Sequence, residues 1–241
     1  MGESKVEAVI WAREPKPARG PQPAYSLDQI SDAAIRIADS DGLDALTMRR
    51  LAAEIGAGVM SLYRYVSGRT DIIDLMSDRV LREIELKPYE DWRSGLQWLA
   101  QTTREHIHRH PWLVHLPGNA APFGPHGLAL TEHVMGIMDG LGLNIDEMMT
   151  SVGLVSGYVS SSVQSEIATR ERLRQVGMTM EDWMRVNAPY IRKLLDSGKY
   201  PMMERIIIDA RWPHMDPEEA FDYGLQRVLS GIAATVEGSS G

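Results

Sequence analysis

The sequence predicts an all-α protein of two helical domains, and three observations support this. Apolar residues recur every three or four positions through most of the chain, which is the spacing of an amphipathic helix. Helix-capping residues precede several of these segments. No segment alternates apolar and polar residues over a useful length, so we expect no sheet. A chain of 241 residues, 44% of them hydrophobic, is long enough for two domains.

Composition excludes several classes of protein and of site. The chain has no cysteine, which rules out disulfides, thiolate metal sites and a cysteine nucleophile. No apolar run approaches the roughly 20 residues of a membrane helix, and the first 16 residues lack the hydrophobic core of a signal peptide. We therefore expect a cytoplasmic protein without membrane contact. The net charge of −8 argues against a bulk nucleic-acid coat but leaves room for a small local DNA surface.

The N-terminal part, residues 1–87, predicts an arm followed by a small helical domain over 25–87. Residues 1–24 are expected to be extended and mostly disordered, because four prolines block helix and ladder alike. Ser26 and Gln29 form a capping box, and the helix that follows is predicted to end at Gly42. Three further helices are predicted over 47–55, 59–66 and 69–84.

The remainder, residues 88–241, predicts a larger helical domain with a loop at 117–127. Asn144 with Glu147, and Asp216 with Pro217, are signals for the start of a helix. The predicted helices span 91–110, 128–141, 145–174, 180–196, 201–209 and 217–236.

Residues 47–66 carry the pattern with the clearest functional meaning. Two short helices that cross steeply need a small residue at the crossing, a residue tolerant of left-handed φ in the turn, and an apolar plug. Ala52, Gly56 and Leu62 supply these in order, which is helix-turn-helix spacing. The second helix of such a motif normally lies in the DNA major groove. Between Thr47 and Thr70 there are four arginines against one acidic residue, so positive charge is concentrated where phosphate would lie.

Residues 41–76 resemble the DNA-binding domain of TetR-type bacterial transcriptional repressors; they read DGLDALTMRRLAAEIGAGVMSLYRYVSGRTDIIDLM. Two later stretches, WRSGLQWLAQTTREHIHRHPWLVHL and FDYGLQRVLSGI, are similar to the ligand-binding region of the tetracycline-repressor-like branch. The resemblance covers about residues 26–236. It implies a sequence-specific regulator that binds a palindromic operator on double-stranded DNA as a homodimer and is released by a small-molecule inducer.

The resemblance places DNA contacts on the two motif helices and at the start of the next helix. The positions are Thr47, Arg49, Val59, Met60, Ser61, Tyr63, Arg64, Tyr65 and Arg69. Arg64 has donors that match a guanine edge, Ser61 can bond either type of base, and tyrosine hydroxyls suit phosphate. The alternative for each tyrosine is packing in the domain core. Arg50 is interpreted as a solvated surface residue.

Small residues form a stripe on each of two predicted C-terminal helices. The stripes are Gly153, Gly157 and Ser161 on the first, and Ala220, Gly224, Val228 and Gly231 on the second. Such stripes let another helix approach closely, either within one subunit or between two. The resemblance favours a homodimer in which these helices form a four-helix interface.

Large residues of the C-terminal domain predict an adaptable apolar cavity, with ordinary core packing as the alternative for each. The candidates are Trp98, Trp112, His115, Met135, Met138, Tyr158 and Trp183. His115 lies near the position of a magnesium-linked histidine in the tetracycline-binding members. The acidic partner of that histidine falls on Ser165 here, with Glu166 turned by about 100° around the helix. We therefore predict a small apolar or aromatic inducer, with few internal charges near it, and no metal or other cofactor.

Two other classes of function were left open by the residues. Glu105 and His108 have the spacing of a di-iron helical bundle, but no second pair of this kind occurs. His106 and His110 have metal-ligand spacing, and a solvent-facing polar patch is the simpler interpretation. Without an HExxH, Gly-rich phosphate-loop or GxSxG motif, we expect no enzyme. A helical scaffold for protein contacts is the other alternative, and the concentration of arginine disfavours it.

Overall fold

The structure is a computed structural model that describes residues 9–13, 25–116, 123–210 and 215–239. Within these ranges it is helical and contains no strand, which confirms the predicted all-α class. Three short 3-10 helices cover Ile10–Ala12, Leu43–Ala45 and Pro111–His115. The α-helices are α1 (Leu27–Asp41), α2 (Met48–Glu54), α3 (Val59–Leu62), α4 (Arg69–Leu81), α5 (Trp92–Arg109), α6 (Pro125–Met138), α7 (Ile145–Gln175), α8 (Met180–Asp196), α9 (Pro201–Asp209) and α10 (Pro217–Ser239).

The N-terminal domain is built on the packing of α1 against α4, with α2 and α3 at one end. The predicted capping box starts α1: the Gln29 amide donates to Ser26 Oγ at 3.1 Å, and the Ser26 amide donates to the Gln29 side chain at 2.9 Å. Gly42 ends the helix at φ 82°. Ile30, Leu51 and Leu62 are completely buried between these helices. Each is a core residue of the kind whose loss destabilises a domain by several kcal/mol.

Two predicted N-terminal helices end earlier than expected. The helix predicted over 59–66 stops at Leu62, and the one predicted to reach Ile84 stops at Leu81. In both places the chain continues as a tighter turn with hydrogen bonds between residues three apart, such as Tyr65 N–H to the Leu62 carbonyl. Helical periodicity continues through such turns, so the sequence pattern overestimates the length of the helix.

The C-terminal domain is a bundle in which α5 packs against α6, α7 and α10. The longest helix, α7, has 31 residues and runs along the bundle with Val155, Val159 and Val163 fully buried. From α10, Phe221 and Leu225 close the same core. The four-residue spacing of these side chains is that of one helix face directed into the bundle.

The start of α6 corrects the loop predicted at 117–127. The helix begins at Pro125, and the described part of that segment is therefore helical from there; residues 117–122 lie outside the described ranges. Asp78, from α4, accepts from the amides of His126 and Gly127 at 2.9 Å each. A carboxylate at this position satisfies amides that a helix start leaves without partners. The helix also ends three residues early, just before Gly140 at φ 76°.

Residues 9–13 correct the prediction of a disordered arm for this short segment. Ile10 is buried within a single 3-10 turn, and Arg13 forms an ion pair with the buried Asp71 of α4. The two Arg13 nitrogens reach the carboxylate at 2.5 and 2.7 Å. The rest of the predicted arm lies outside the described residues.

The helices α8 and α9 differ from the rest because neither contains a buried residue. The main contact of α8 is with α9. Trp183, Met184 and Tyr190 on α8 and Met202 on α9 are exposed apolar side chains. None of the described helices is long and apolar enough to cross a membrane.

Candidate nucleic-acid interface and ligand region

The helix-turn-helix is formed by α2, α3 and the turn between them. Thr47 caps α2 by accepting from the Arg50 amide at 3.1 Å. Ala52 is buried at the crossing, and its carbonyl accepts from the Ala57 amide at 2.8 Å, which closes the turn. Gly56 takes φ 69°, a conformation that side chains with a Cβ rarely adopt. Leu62, the last residue of α3, is buried. Each of the three spaced residues therefore has the role that the sequence predicts.

The outer face of α3 presents side chains to solvent. Met60 is 79% exposed, Tyr63 is 45% exposed, and Val59 and Ser61 are also exposed. The alternative of core packing therefore does not apply to Tyr63. Neighbouring exposed apolar side chains of this kind are a feature of contact surfaces.

Charge on this surface is available for a partner. Arg49 and Arg64 are exposed, and neither forms an ion pair or a side-chain hydrogen bond with any described residue. Arg50, by contrast, pairs with Asp41 at 3.1 Å, in agreement with its interpretation as a surface residue. The two unpaired guanidinium groups lie on the two helices of the motif, where phosphate or base edges would meet them.

Tyr65 and Arg69 are tied into the domain instead. Tyr65 is half-buried with its ring edge-on to Tyr25 at 6.4 Å, and its hydroxyl accepts from the Tyr25 amide at 3.3 Å. This is the packing role that the sequence left as the alternative. Arg69 donates to the carbonyls of Leu43 at 2.8 Å and Leu46 at 3.3 Å. Both residues thus position the loop and the helix that carry the exposed surface.

The seven predicted ligand-contacting residues do not form one group. Trp98 is partly buried against Tyr89 and His133, with ring centroids 5.1 and 5.5 Å apart. Met138 is fully buried, Met135 is partly buried, and the Tyr158 hydroxyl donates to the Phe221 carbonyl at 2.7 Å.

The other three candidates lie elsewhere. Trp112 is buried and donates to Asp39 of α1 at 2.8 Å, so it lies at the junction with the N-terminal domain. His115 is exposed at the end of a 3-10 helix, and Trp183 is exposed on α8. Their partners come from distant elements, which spacing along the chain does not reveal.

A charged cluster inside the bundle was missed by sequence reasoning. Arg104 and His108 of α5 contact Glu166 of α7 at 3.3 and 3.1 Å, and all three side chains are mostly buried. The Arg104 guanidinium lies 4.8 Å above the Phe221 ring, and its Nε is buried without a hydrogen-bond partner. The expectation of few internal charges is therefore wrong for this region. Arg104 and His108 lie four residues apart and so share one helix face, which is the sequence signal for this cluster.

Two histidines also depart from expectation. His106 and His110 are 5% and 4% exposed, so the interpretation as a solvent-facing polar patch is wrong. Burial, together with the neighbouring His110, lowers the pKa of His106 to about 4. The His106 ring is therefore neutral at neutral pH.

Comparison with known proteins identifies the architecture. Residues 86–236 match the family model described as tetracyclin repressor-like, C-terminal domain, and residues 30–76 match that of bacterial regulatory proteins, tetR family. The chain belongs to the TetR family. The TetR regulators are non-enzymatic DNA-binding proteins as a family, so neither the enzyme nor the scaffold alternative is favoured.

Individual relatives agree with this assignment. The HTH-type transcriptional repressor DrrR1 of Streptomyces coeruleorubidus is 37% identical over 232 residues, which are 95% of this chain and 84% of DrrR1. The tetracycline repressor protein class E of Escherichia coli is 24% identical over 88% of this chain and 92% of its own. The crystal structure of apo ActR from Streptomyces coelicolor has a TM-score of 0.72 and 26% identity, covering 90% of this chain and 99% of ActR.

In this TetR chain the two small-residue stripes differ in their surroundings. Gly153, Gly157 and Ser161 of α7 are exposed, and a Cβ placed at either glycine would meet nothing within 4 Å. On α10, a Cβ at Gly224 would collide with the Tyr158 ring of the same chain. Gly224 is therefore small because α7 and α10 approach each other within the chain. For Gly224 this is the alternative that the sequence left open, the close approach of two helices within one subunit.

The remaining members of the α10 stripe vary in exposure. Ala220 and Val228 are half-buried, whereas Gly231 is exposed, and a Cβ there would meet nothing within 4 Å. The stripe on α7 is the more open of the two.

Proposed function

We propose that this chain is a homodimeric repressor that reads a palindromic operator with α3 and leaves it when a small molecule binds the C-terminal bundle. The observation that carries the DNA-binding part is the exposed face of α3 together with the unpaired Arg49 and Arg64. Phosphate contacts would come from Thr47, Tyr63 and Arg49, and base contacts from Ser61 and Arg64.

The homodimer is supported by apolar surface that the chain itself leaves uncovered. The open stripe of α7 extends towards its start through the exposed Ile145 and Met149. A second copy packed on this face would bury these side chains in a two-fold interface. It would also fix the two α3 helices relative to each other, about one DNA turn apart on the operator.

The inducer is proposed to be a largely aromatic molecule that binds beside Trp98 and Tyr158. ActR, a structural relative at 27% identity, has been crystallised in complex with actinorhodin and with (S)-DNPA. The Arg104 and Glu166 cluster lies next to Tyr158's partner Phe221, so a polar group on the ligand would find a charged contact there. The ligand would favour a dimer in which the α3 helices no longer match successive major grooves.

The DNA-binding proposal is tested with Arg64→Ala and its matched control Arg50→Ala. The probe is a palindromic duplex selected for binding to the wild-type chain, and the measurement is fluorescence anisotropy at fixed salt. Loss of Arg64 should weaken operator binding by about 1–3 kcal/mol, roughly 5- to 150-fold. Arg50 already pairs with Asp41, so its loss should change affinity by less than about 0.5 kcal/mol. Equal binding by Arg64→Ala and the wild type would show that α3 does not read this DNA.

The inducer proposal is tested by titrating the full chain with an aromatic ligand and following tryptophan fluorescence. Binding should weaken operator affinity by a coupling energy of about 1–3 kcal/mol, and operator should weaken ligand affinity by the same factor. Magnesium should make no difference, and His115→Ala should bind as the wild type does, because His115 is exposed. A ligand that needs a divalent ion and His115 would contradict this proposal while leaving DNA binding untouched.

A further inference from the structure

Four polar side chains meet at the junction between the N-terminal domain and the bundle. Asp39 comes from the end of α1, Glu83 from the turn after α4, and His106 and His110 from the last turn of α5 and its cap. Ligand atoms of Glu83, His106 and His110 all lie within 4.8 Å of one another. The DNA-binding and ligand roles described above use none of these residues.

His106 has an unsatisfied ring nitrogen in this cluster. The residue is 5% exposed, and its Nε2 is buried without a hydrogen-bond partner among the described residues. A buried polar nitrogen left in this way is destabilising unless something binds it. An imidazole nitrogen is also a common ligand of divalent metal ions, so a metal ion is one partner that would satisfy this atom.

His110 is oriented towards the same point by a carboxylate behind it. Its Nδ1 lies 2.9 Å from Asp39 Oδ1, which also accepts from the Trp112 indole N–H at 2.8 Å. A carboxylate oxygen accepts, so Nδ1 carries the proton that it donates to Asp39, and a neutral ring then has its lone pair on Nε2. A carboxylate that fixes the tautomer of a histidine is the usual outer partner of a metal-binding imidazole.

Glu83 completes the set from the opposite side. His110 Nε2 lies 3.4 Å from the Glu83 carboxylate, so a lone pair and an anionic oxygen face each other at more than a good hydrogen-bond distance. With a neutral ring, a metal cation between these two acceptors binds both; a ring protonated at both nitrogens donates to Asp39 and Glu83 and needs none. Arg109 donates to Glu83 Oε2 at 2.6 Å, which leaves the other carboxylate oxygen for a further partner.

We propose that Glu83 and the Nε2 atoms of His106 and His110 form a site for a first-row divalent transition metal ion such as zinc. A tetrahedral ion with bonds of about 2.1 Å sets its ligand atoms about 3.4 Å apart. The ligand atoms lie within 4.8 Å of one another, so binding of the ion would bring them closer by up to about 1.4 Å. Three protein ligands leave one coordination position for water. The ion would join the end of α4 to the end of α5, and so fix the angle between the two domains.

The test is isothermal titration of the metal-free full chain with zinc chloride, using the wild type, His106→Gln, Glu83→Gln and the control His108→Gln. His108 lies on the same helix but contacts Glu166 instead of the cluster. The wild type and His108→Gln should bind one zinc per chain with the same affinity. His106→Gln and Glu83→Gln should bind at least about tenfold more weakly, since even the outer partners of a metal site typically contribute 10- to 100-fold.

A second measurement separates the loss of a ligand from a loss of folding. Zinc should raise the thermal midpoint of the wild type and the control, because the ion binds only the folded chain, and raise it less in the two ligand variants. Glu83 is exposed, so Glu83→Gln keeps the fold even if the buried His106→Gln variant does not. Cobalt in place of zinc should give the intense visible absorption of a four-coordinate site. Zinc binding of equal affinity in the wild type and Glu83→Gln, or no binding by the wild type, would overturn the proposal.

Discussion

The helix-turn-helix domain and the α8–α9 pair are both made of amphipathic helices, yet only the first buries apolar side chains in a core of its own. Ile30, Leu51 and Leu62 are fully buried by neighbouring helices of the same chain. On α8, Trp183 and Tyr190 are exposed, and no residue of that helix is buried. A helical pattern in the sequence therefore predicts an apolar face but does not predict what covers that face. For the first region the cover lies within the chain, whereas no described residue buries the apolar face of α8.

The largest effect is expected from a substitution in the buried core of the helix-turn-helix domain. Leu62→Ala should destabilise the domain by about 2–5 kcal/mol, because the side chain is completely buried and leaves a cavity. Met60 on the same helix is 79% exposed, so Met60→Ala should change the free energy of unfolding by less than about 0.5 kcal/mol. Urea unfolding followed by circular dichroism measures both. Similar losses in the two variants would mean that α3 is not packed as described.

The second prediction extends the comparison to another uncovered helix face, the small-residue stripe of α7. Gly157→Leu should weaken the dimer by about 1–3 kcal/mol, because the new side chain overpacks the face proposed to meet the partner. A Cβ there meets nothing in the same chain, so the subunit itself should remain folded. Gly136→Leu on α6 is the control, since that helical glycine is equally open within the chain. Sedimentation velocity over a range of concentrations should show more monomer for Gly157→Leu only.

A smaller effect is expected where residues 9–13 contact α4 of the helix-turn-helix domain. Arg13→Ala should destabilise the chain by about 1–3 kcal/mol, because it removes two hydrogen bonds from the buried carboxylate of Asp71. The exposed pair of Arg174 and Glu171 provides the control, and Arg174→Ala should change stability by about 0.5 kcal/mol or less. Urea midpoints at neutral pH test the difference.

The ion pair of Arg13 with Asp71 makes the stability of the chain depend on pH. Burial alone would raise the pKa of Asp71, but hydrogen bonds from Arg13 and Ser67 outweigh it, and the pKa lies below 3.8. The folded chain therefore binds fewer protons here than the unfolded chain as acid is added. The stabilisation is complete above the unfolded pKa and is lost as the pH falls through the folded pKa. The stability difference between wild type and Arg13→Ala should shrink only in that acidic range; a difference that is constant with pH would contradict the ion pair.

Prediction from the sequence succeeded for the fold where the determining residues are neighbours in the chain. The capping box at Ser26 and the turn at Gly56 are local, and the helix over 201–209 was predicted with the bounds that the structure has. The start of α6 was missed because its cap, Asp78, belongs to another helix. The order at Ile10 was missed because the partner of Arg13 lies 58 residues away.

The same distinction holds for the candidate sites. The exposed surface of α3 follows from three spaced residues and from local charge, both visible in one segment. The cluster of Arg104 with Glu166 joins two helices, and each residue alone resembles ordinary helix surface. His106 and His110 were expected in solvent because the helix that carries them does not reveal that α1 and the end of α4 cover them.

The carboxylate of Asp78 couples the start of α6 to the DNA-binding domain. It belongs to α4 and is buried, yet it accepts from two amides and the ring Nδ1 of His126 at the first turn of α6. Gly124 is needed beside it, since any Cβ there would collide with the Asp78 side chain. A rotation of the N-terminal domain relative to α6 would break these three hydrogen bonds. If the bonds are kept, α6 moves together with the N-terminal domain. A displacement of α6 within the bundle would therefore be passed through Asp78 to α4 and the helix-turn-helix.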